Sequence, residues 1–262
     1  ALSVLDRVSG DRIRHELDHI LDEEHAAQMF ARLQELKLLS AVHPHLVWDD
    51  WLYRRIDDLA KDKIPPDGLN WDVLLGEAAT RSGAKDLANQ SINKVLWNNM
   101  PVKRVLAYTL LLIRMPASKA QQVLSRIKAP GALTREVLSA CRLWEELESF
   151  LDQAPSQVVS RLDEISVLSL TANYLAAPDH LRHILQEYLT HWRKIAPKTT
   201  GYDLRTYGIP PGPQYAQLLG KLRAAWLDGE VRTPEEEKAL LEILIKGIQD
   251  ESQRGGHPSG NA

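Results

Sequence analysis

The sequence predicts an all-α protein of about ten helices with no sheet of consequence. Three observations carry this. Apolar residues recur at spacings of three and four, as in Ile13, Leu17, Ile20, Leu21 and then Met29, Phe30, Leu33, Leu36, which is the period of a helix with one buried face. The punctuation is helical: Pro101, Pro116, Pro130, Pro155 and Pro178 each stand where one periodic segment ends and the next begins, because proline starts helices and breaks their interiors. No stretch alternates for long, and the β-branched pair Val158-Val159 keeps helical spacing with Leu162.

Taken in order, Ser9 or Asp11 caps a helix running to about Asp22, since either side chain can accept a bond from a free N–H of the first turn. The next periodic segment closes through Leu36-Lys37-Leu38-Leu39 to His43-Pro44. Asp62-Lys63-Ile64-Pro65-Pro66-Asp67-Gly68 is the strongest linker candidate. Towards the C-terminus, Leu218, Leu222 and Ala225 form the apolar face of a long helix that Gly229 ends. Thr233-Pro234-Glu235-Glu236 then gives a cap, a proline at the first helical position and a glutamate at the third. Ser252 to Ala262, with Gly255-Gly256 and Pro258, reads as a disordered end.

The 262 residues are 44% hydrophobic, enough for a sizeable core, and 26% charged with a formal net charge of -3. A single cysteine, Cys141, excludes an internal disulfide framework and a four-cysteine zinc site. It fits a reducing, cytoplasmic setting. No apolar run reaches the ~18 residues of a membrane span; the longest, around Leu110-Leu111-Leu112-Ile113, stops at Arg114. The opening Ala-Leu-Ser-Val-Leu-Asp-Arg is no signal peptide and reads as a start in mid-chain.

The near-neutral total hides segregated charge. Residues 101–142 carry 8 Lys and Arg against 1 acidic residue, and residues 182–223 carry 7 against 2. Segregated positive charge is the footprint of a surface that binds a polyanion. The candidates are Lys103, Arg104, Lys119, Arg126, Lys128 and Arg135 in the first block, and Arg182, Arg193, Lys194, Lys198 and Arg205 in the second.

His15-Glu16-Leu17-Asp18-His19 matches the H-E-x-x-H spacing that holds zinc on one helix face. The surroundings oppose that chemistry. Asp22 stands where the longer form of the motif needs a chain-reversing glycine, Asp18 charges an inward-facing position, and only 14 residues precede His15. No metal site is expected, and the histidines are read as a solvent-facing pair, as is the turn pair His43-Pro44-His45. No Gly-x-Ser-x-Gly elbow and no Gly-x-x-x-x-Gly-Lys phosphate loop is present. Trp97, Trp144, Trp192 and Trp226 sit in apolar helical patterns and are read as packing residues.

Two segments carry a family resemblance. Ser9-Gly10-Asp11-Arg12-Ile13-Arg14-His15-Glu16-Leu17, with Leu36-Lys37-Leu38-Leu39 to His43-Pro44, resembles the neck of bacterial class II tRNA nucleotidyltransferases and poly(A) polymerases. The family form is S-G-E-R-I-R-x-E-L followed by G-L-L-x-x-x-x-P. Asp11 and Lys37 depart from it. Glu16 follows Arg12 by four, so an i,i+4 brace is expected there. Gly201-Tyr202-Asp203-Leu204, Gly208, Pro211-Gly212-Pro213 and Leu227-Asp228-Gly229 resemble the same family's C-terminal element, G-x-D-L-x-x-x-G-x-x-P-G-P-x-x-G. Ala216 replaces its last glycine. Asp203 is expected to cap a short helix, and Gly208 with Pro210-Pro211-Gly212 to form a rigid turn whose backbone N–H groups, at Gly212, can meet phosphate.

The resemblance covers about residues 1–46 and 187–250. It implies a neck-like segment over 1–61, a helical body over 69–196, a C-terminal tail element over 197–251 and a disordered tail over 252–262. It also implies a protein that grips tRNA or other structured RNA, reading an A-form rod by shape and phosphate contacts. The family's catalytic carboxylates, spaced D-x-D, and its base-selecting E-D-x-x-R helix have no counterpart: neither Asp-x-Asp nor Glu-Asp occurs. The resemblance is therefore to the part downstream of the catalytic head. No cofactor is expected in this chain, with Mg²⁺ and ATP or CTP belonging to the head. The head of its own full-length chain is an expected partner and a membrane is not. The choice between A-addition, CCA-addition and poly(A) tails resides in the head. The competing expectation is a helical protein–protein or dimerisation module in which the basic blocks are incidental.

Overall fold

The computed structural model describes residues 7–63, 69–71, 73–75, 92 and 95–254, the last six of these by backbone alone. Among the described residues the regular structure is helical apart from one hairpin of two two-residue strands. It divides into two compact units: residues 1–151 with 162–189, and residues 152–161 with 190–262. Residues 64–68 of the 62–68 linker candidate and 255–262 of the expected disordered end lie outside the described residues, while Ser252–Arg254, expected to be disordered, continue the last helix.

The first unit opens with α1 (Gly10–Asp22), α2 (Ala26–Glu35), α3 (Leu38–Val42) and α4 (Asp50–Ala60). Ser9 is the cap of α1, its Oγ accepting from Arg12 N at 3.3 Å. Ile13, Leu17 and Leu21 are buried as the spacing predicts. Asp49 caps α4 in the same way, from Leu52 N at 2.9 Å. The hairpin β1 (Leu96–Trp97) and β2 (Met100–Pro101) pairs Trp97 with Met100. It leads into α5 (Val102–Leu112), α6 (Ala117–Arg126) and α7 (Gly131–Glu146). After α7 come α9 (Val167–Ala176) and α10 (Asp179–Thr190), with α8 (Pro155–Leu162) lying between α7 and α9 in sequence.

Helix α5 is buried on almost every side, as an all-round apolar helix must be. It packs against α1, α4, α7 and α9. The buried Glu136 of α7 accepts hydrogen bonds from Ser166 and Ser169 at the start of α9, the latter at 2.6 Å, so a carboxylate inside the core is satisfied rather than stranded. Cys141 is buried with its thiol on Leu112 O, and burial first, then Glu145, pushes its pKa up to about 12.

The second unit is built on α11 (Gly201–Thr206), α12 (Pro213–Leu227) and α13 (Pro234–Arg254). Its core is Leu204, Ile209, Leu218, Leu222, Leu241 and Ile245. The expected apolar face of α12 is therefore the buried one, and Gly229 at φ +73° ends that helix in the left-handed conformation glycine favours. The cap before α13 is reciprocal: Glu236 N donates to Thr233 Oγ1 and Thr233 N to Glu236 Oε2, both at 3.2 Å. The sequence reading of about ten helices meets thirteen among the described residues, since five-residue α3 and six-residue α11 are too short to show a period. Trp97, Trp144, Trp192 and Trp226 are half-buried rather than enclosed.

Candidate nucleic-acid interface

In the first unit the S-G-D-R-I-R segment builds a joint. Gly10 is buried against the end of α6, where a Cβ would meet Arg126 O at 2.3 Å. Only glycine fits that approach. Arg14 donates to Lys128 O and pairs with Asp11 at 3.2 Å, while Lys128 Nζ reaches Asp11 at 3.0 Å. Both terminal guanidinium nitrogens of Arg126, Nη1 and Nη2, lie 3.4 Å from Val8 O. Asp11 is held below the ordinary carboxylate range, first by the Lys128 hydrogen bond. The expected brace between Arg12 and Glu16 is absent: no bond joins them, both are exposed, and they flank an apolar groove of about 160 Å³ lined by Ile13, Leu17, Leu33 and Leu39. Sequence spacing allowed the pair, but the ion pairs of this segment run from Asp11 instead.

The H-E-x-x-H pair is exposed, with the Nε2 atoms of His15 and His19 3.1 Å apart. Among the described residues no three His, Cys, Asp or Glu side chains gather as a metal set. Asp18 is accounted for differently. It accepts from Tyr108 Oη at 2.7 Å and faces Arg104 at 3.6 Å. His43 and His45 have ring centroids 5.2 Å apart, and burial, ahead of His45 and Lys119, lowers the pKa of His43.

Most predicted cations of this unit are committed to partners within it, two of them in its interior. Lys103 is buried, its Nζ on Ala60 O at 3.1 Å; burial lowers its pKa against the opposing pull of Asp22, Asp62, Glu24 and Glu23. Arg104 forms a fork on Asp22, with Nε at 3.0 Å, and its pKa is raised first by that bond. Arg182 is buried, donating to Tyr174 O at 3.3 Å and Ala177 O at 2.7 Å and pairing with Asp179 at 2.8 Å. Lys103 and Arg182 thus do not stand on a surface, because their donors were needed by carbonyls inside. Lys119 is half-exposed and Arg135 exposed, neither with an ion-pair partner among the described residues.

The second unit differs. Arg193 and Lys194, in the short 3-10 turn Trp192–Lys194, and Lys198 and Arg205 have no ion pair and no side-chain hydrogen bond among the described residues. Lys194, Lys198 and Arg205 are exposed and Arg193 half-buried. The backbone beneath them is tightly held. Thr200, not Asp203, is the cap of α11, and Asp203 returns the bond to Thr200 N at 2.7 Å as the third residue of a capping box. Asp203 is held below its ordinary range first by the Thr200 side chain.

The residue that organises this segment is one the sequence did not flag. Glu237, 1% exposed, accepts from Lys198 N at 2.9 Å, Thr199 N at 2.6 Å, Thr199 Oγ1 and the indole of Trp226. Its position inside an acidic run, directly after the capping glutamate, disguised it as a solvated charge. Gly208 turns at φ +78°. Gly212 is exposed and extended, and a Cβ there would come no nearer than 4.0 Å to Pro210 O, so the fold itself does not demand glycine at that point.

These features define an all-helical protein whose second unit carries cations, unpaired among the described residues, on a segment held by Glu237. Residues 2–48 match the family model described as "Probable RNA and SrmB- binding site of polymerase A". The chain is 26% identical over 246 residues to an A-adding tRNA nucleotidyltransferase of Geobacter sulfurreducens, a match covering 91% of this chain and 25% of that protein. Its fold is similar to a CCA-adding enzyme solved with ATP, at TM-score 0.59, 16% identity, and 94% and 52% of the two chains. It is also similar to the Thermotoga maritima CCA-adding enzyme complexed with tRNA, at TM-score 0.57, 17% identity, and 93% and 53%. At those identities the structural likenesses carry the fold alone. The chain thus spans a quarter of the curated relative and about half of each solved neighbour. The family model and the curated relative thus show a likeness to tRNA nucleotidyltransferases, and the solved neighbours share the fold. No helix among the described residues is long and apolar enough to cross a membrane.

Proposed function

We propose that this chain is the RNA-holding body of a cytoplasmic tRNA nucleotidyltransferase or poly(A) polymerase, binding tRNA while a catalytic head elsewhere performs the transfer. The observation that carries the reading is the set Arg193, Lys194, Lys198 and Arg205, unpaired among the described residues, on a segment locked from within by Glu237. Such charges are free to displace counterions from phosphate. Gly212 leaves room for the backbone of the turn to approach an anion, and Lys119 and Arg135 are the sequence-predicted cations of the other unit that have no ion pair among the described residues. Mg²⁺ and ATP or CTP belong to the head in this reading. The sequence offers no Asp-x-Asp pair to hold the metal, and no step is assigned to it here.

The test is a gel shift with tRNA beside an incorporation assay with labelled ATP. Binding without AMP addition is expected. Addition of AMP by this chain alone overturns the reading. A second reading, dimerisation, is favoured by the apolar groove between Arg12 and Glu16. A dimer on a sizing column with no tRNA shift selects it.

A further inference from the structure

Of the two Phe, seven Trp and seven Tyr side chains, all of them described, Tyr202 is the one that stands exposed, with 76% of its surface open. Its direction is fixed by what lies behind it. Gly201 rests on the Tyr215 ring, a Cβ there meeting two ring carbons at 3.4 Å. The Thr200–Asp203 box sets the first turn of α11. Leu204 is wholly buried in the core of the unit, and two residues along a helix is about half a turn, so the tyrosine two positions earlier projects away from that core. Arg205, three residues on, shares the tyrosine's face, and its guanidinium has no partner among the described residues. Lys198, just before the turn, is exposed and unpartnered too.

An exposed aromatic ring on the same helix face as a guanidinium, with an ammonium three residues before the helix and both cations without a partner among the described residues, has a specific use. Paired bases hide their faces inside the helix, so duplex RNA is read by its shape and phosphates. An unpaired base offers its π-face, which stacks on tyrosine and takes a cation at its edge or on its phosphate. We infer that Tyr202 and Arg205 form a stacking platform for an unpaired RNA base, with Lys198 neutralising a neighbouring phosphate. This rests on the RNA-holding reading above and deepens it: the second unit recognises unpaired nucleotides, not only a phosphate rod.

The experiment titrates the whole chain with two RNAs of equal phosphate number, a blunt duplex and the same duplex with an unpaired internal loop. Wild type is expected to prefer the looped RNA. Tyr202→Ala weakens the looped RNA by about five- to a hundredfold and leaves duplex binding and the melting temperature unchanged, while Tyr202→Phe keeps the preference. Arg205→Gln lowers the salt slope by about one. If wild type binds RNA but Tyr202→Ala binds both RNAs as wild type does, or weakens both equally, the platform is overturned and the RNA-holding reading stands. If wild type binds neither RNA, that reading fails and the platform with it.

Discussion

Glu237 shows how a single carboxylate can set a surface it does not touch. Burial alone pushes its pKa up, but the hydrogen bonds from the Thr199 hydroxyl, Lys198 N, the Trp226 indole and Thr199 N outweigh burial and hold it below the ordinary 4.5. A pKa lower in the folded state than in the unfolded chain means that folding favours the ionised form. Its contribution is complete above about pH 4.5 and is lost as the pH falls through the lower folded value. Denaturant midpoints taken from neutral pH into the acid range are expected to fall below about pH 4.5. Glu237→Gln is expected to flatten that fall, leaving the shares of Asp11, Asp49, Asp57 and Asp203, which shift in the same direction. Glu237→Ala leaves its buried donors without an acceptor, at a cost of about 3 kcal/mol, read as a lowered melting temperature. At the opposite end of the chain, Gly10→Ala drives a Cβ into Arg126 O. A cost of about 1–3 kcal/mol is expected in the same measurement. Unchanged melting would mean the α1–α6 joint is looser than it stands here.

At the scale of elements, the long periodic helices were legible because their periodicity is local. Leu218, Leu222 and Ala225 lie within one helix, and so do Ile13, Leu17 and Leu21. The Thr233–Glu236 cap is equally local. The misread cap of α11 had the right residues in the wrong roles, since a capping box uses both Thr200 and Asp203 and the sequence alone suggested the acid. The fates of the cations were illegible for a different reason. Arg104 finds Asp22 82 residues away, and Arg126 finds Val8 118 residues away, distances over which periodicity says nothing. Two predictions belong here. Thr200→Ala is expected to cost about 1 kcal/mol and to raise amide exchange in α11. Gly208→Ala forces a side chain to φ +78° with open space around it, so only backbone strain of about 1–2 kcal/mol is expected, visible as a melting shift without loss of the fold.

For the whole molecule, each basic block is divided: Lys103 of the first and Arg182 of the second are spent on interior carbonyls, while Lys119 and Arg135 of the first and Arg193, Lys194, Lys198 and Arg205 of the second have no ion pair among the described residues. Lys103 and Arg182 satisfy interior carbonyls, so Arg182→Met is expected to lower stability by about 2–3 kcal/mol and to leave the tRNA affinity of the folded protein unchanged. The 193–205 segment carries the opposite expectation, affinity without stability. The resemblance to nucleotidyltransferases was readable from motifs at the two ends of the chain, and the comparisons bear out that family relation. Which cations are free was readable only once the chain was folded.

The salt dependence of tRNA binding, measured for wild type and for the combined Arg193, Lys194, Lys198 and Arg205 to Gln variant, tests the account most directly. Each phosphate contact contributes about -0.9 to the log–log slope on a duplex of the DNA type. The account predicts a wild-type slope that falls in magnitude by roughly three to four in the variant, with melting temperature retained. A variant with the wild-type slope and affinity, or a wild type indifferent to salt, would contradict it.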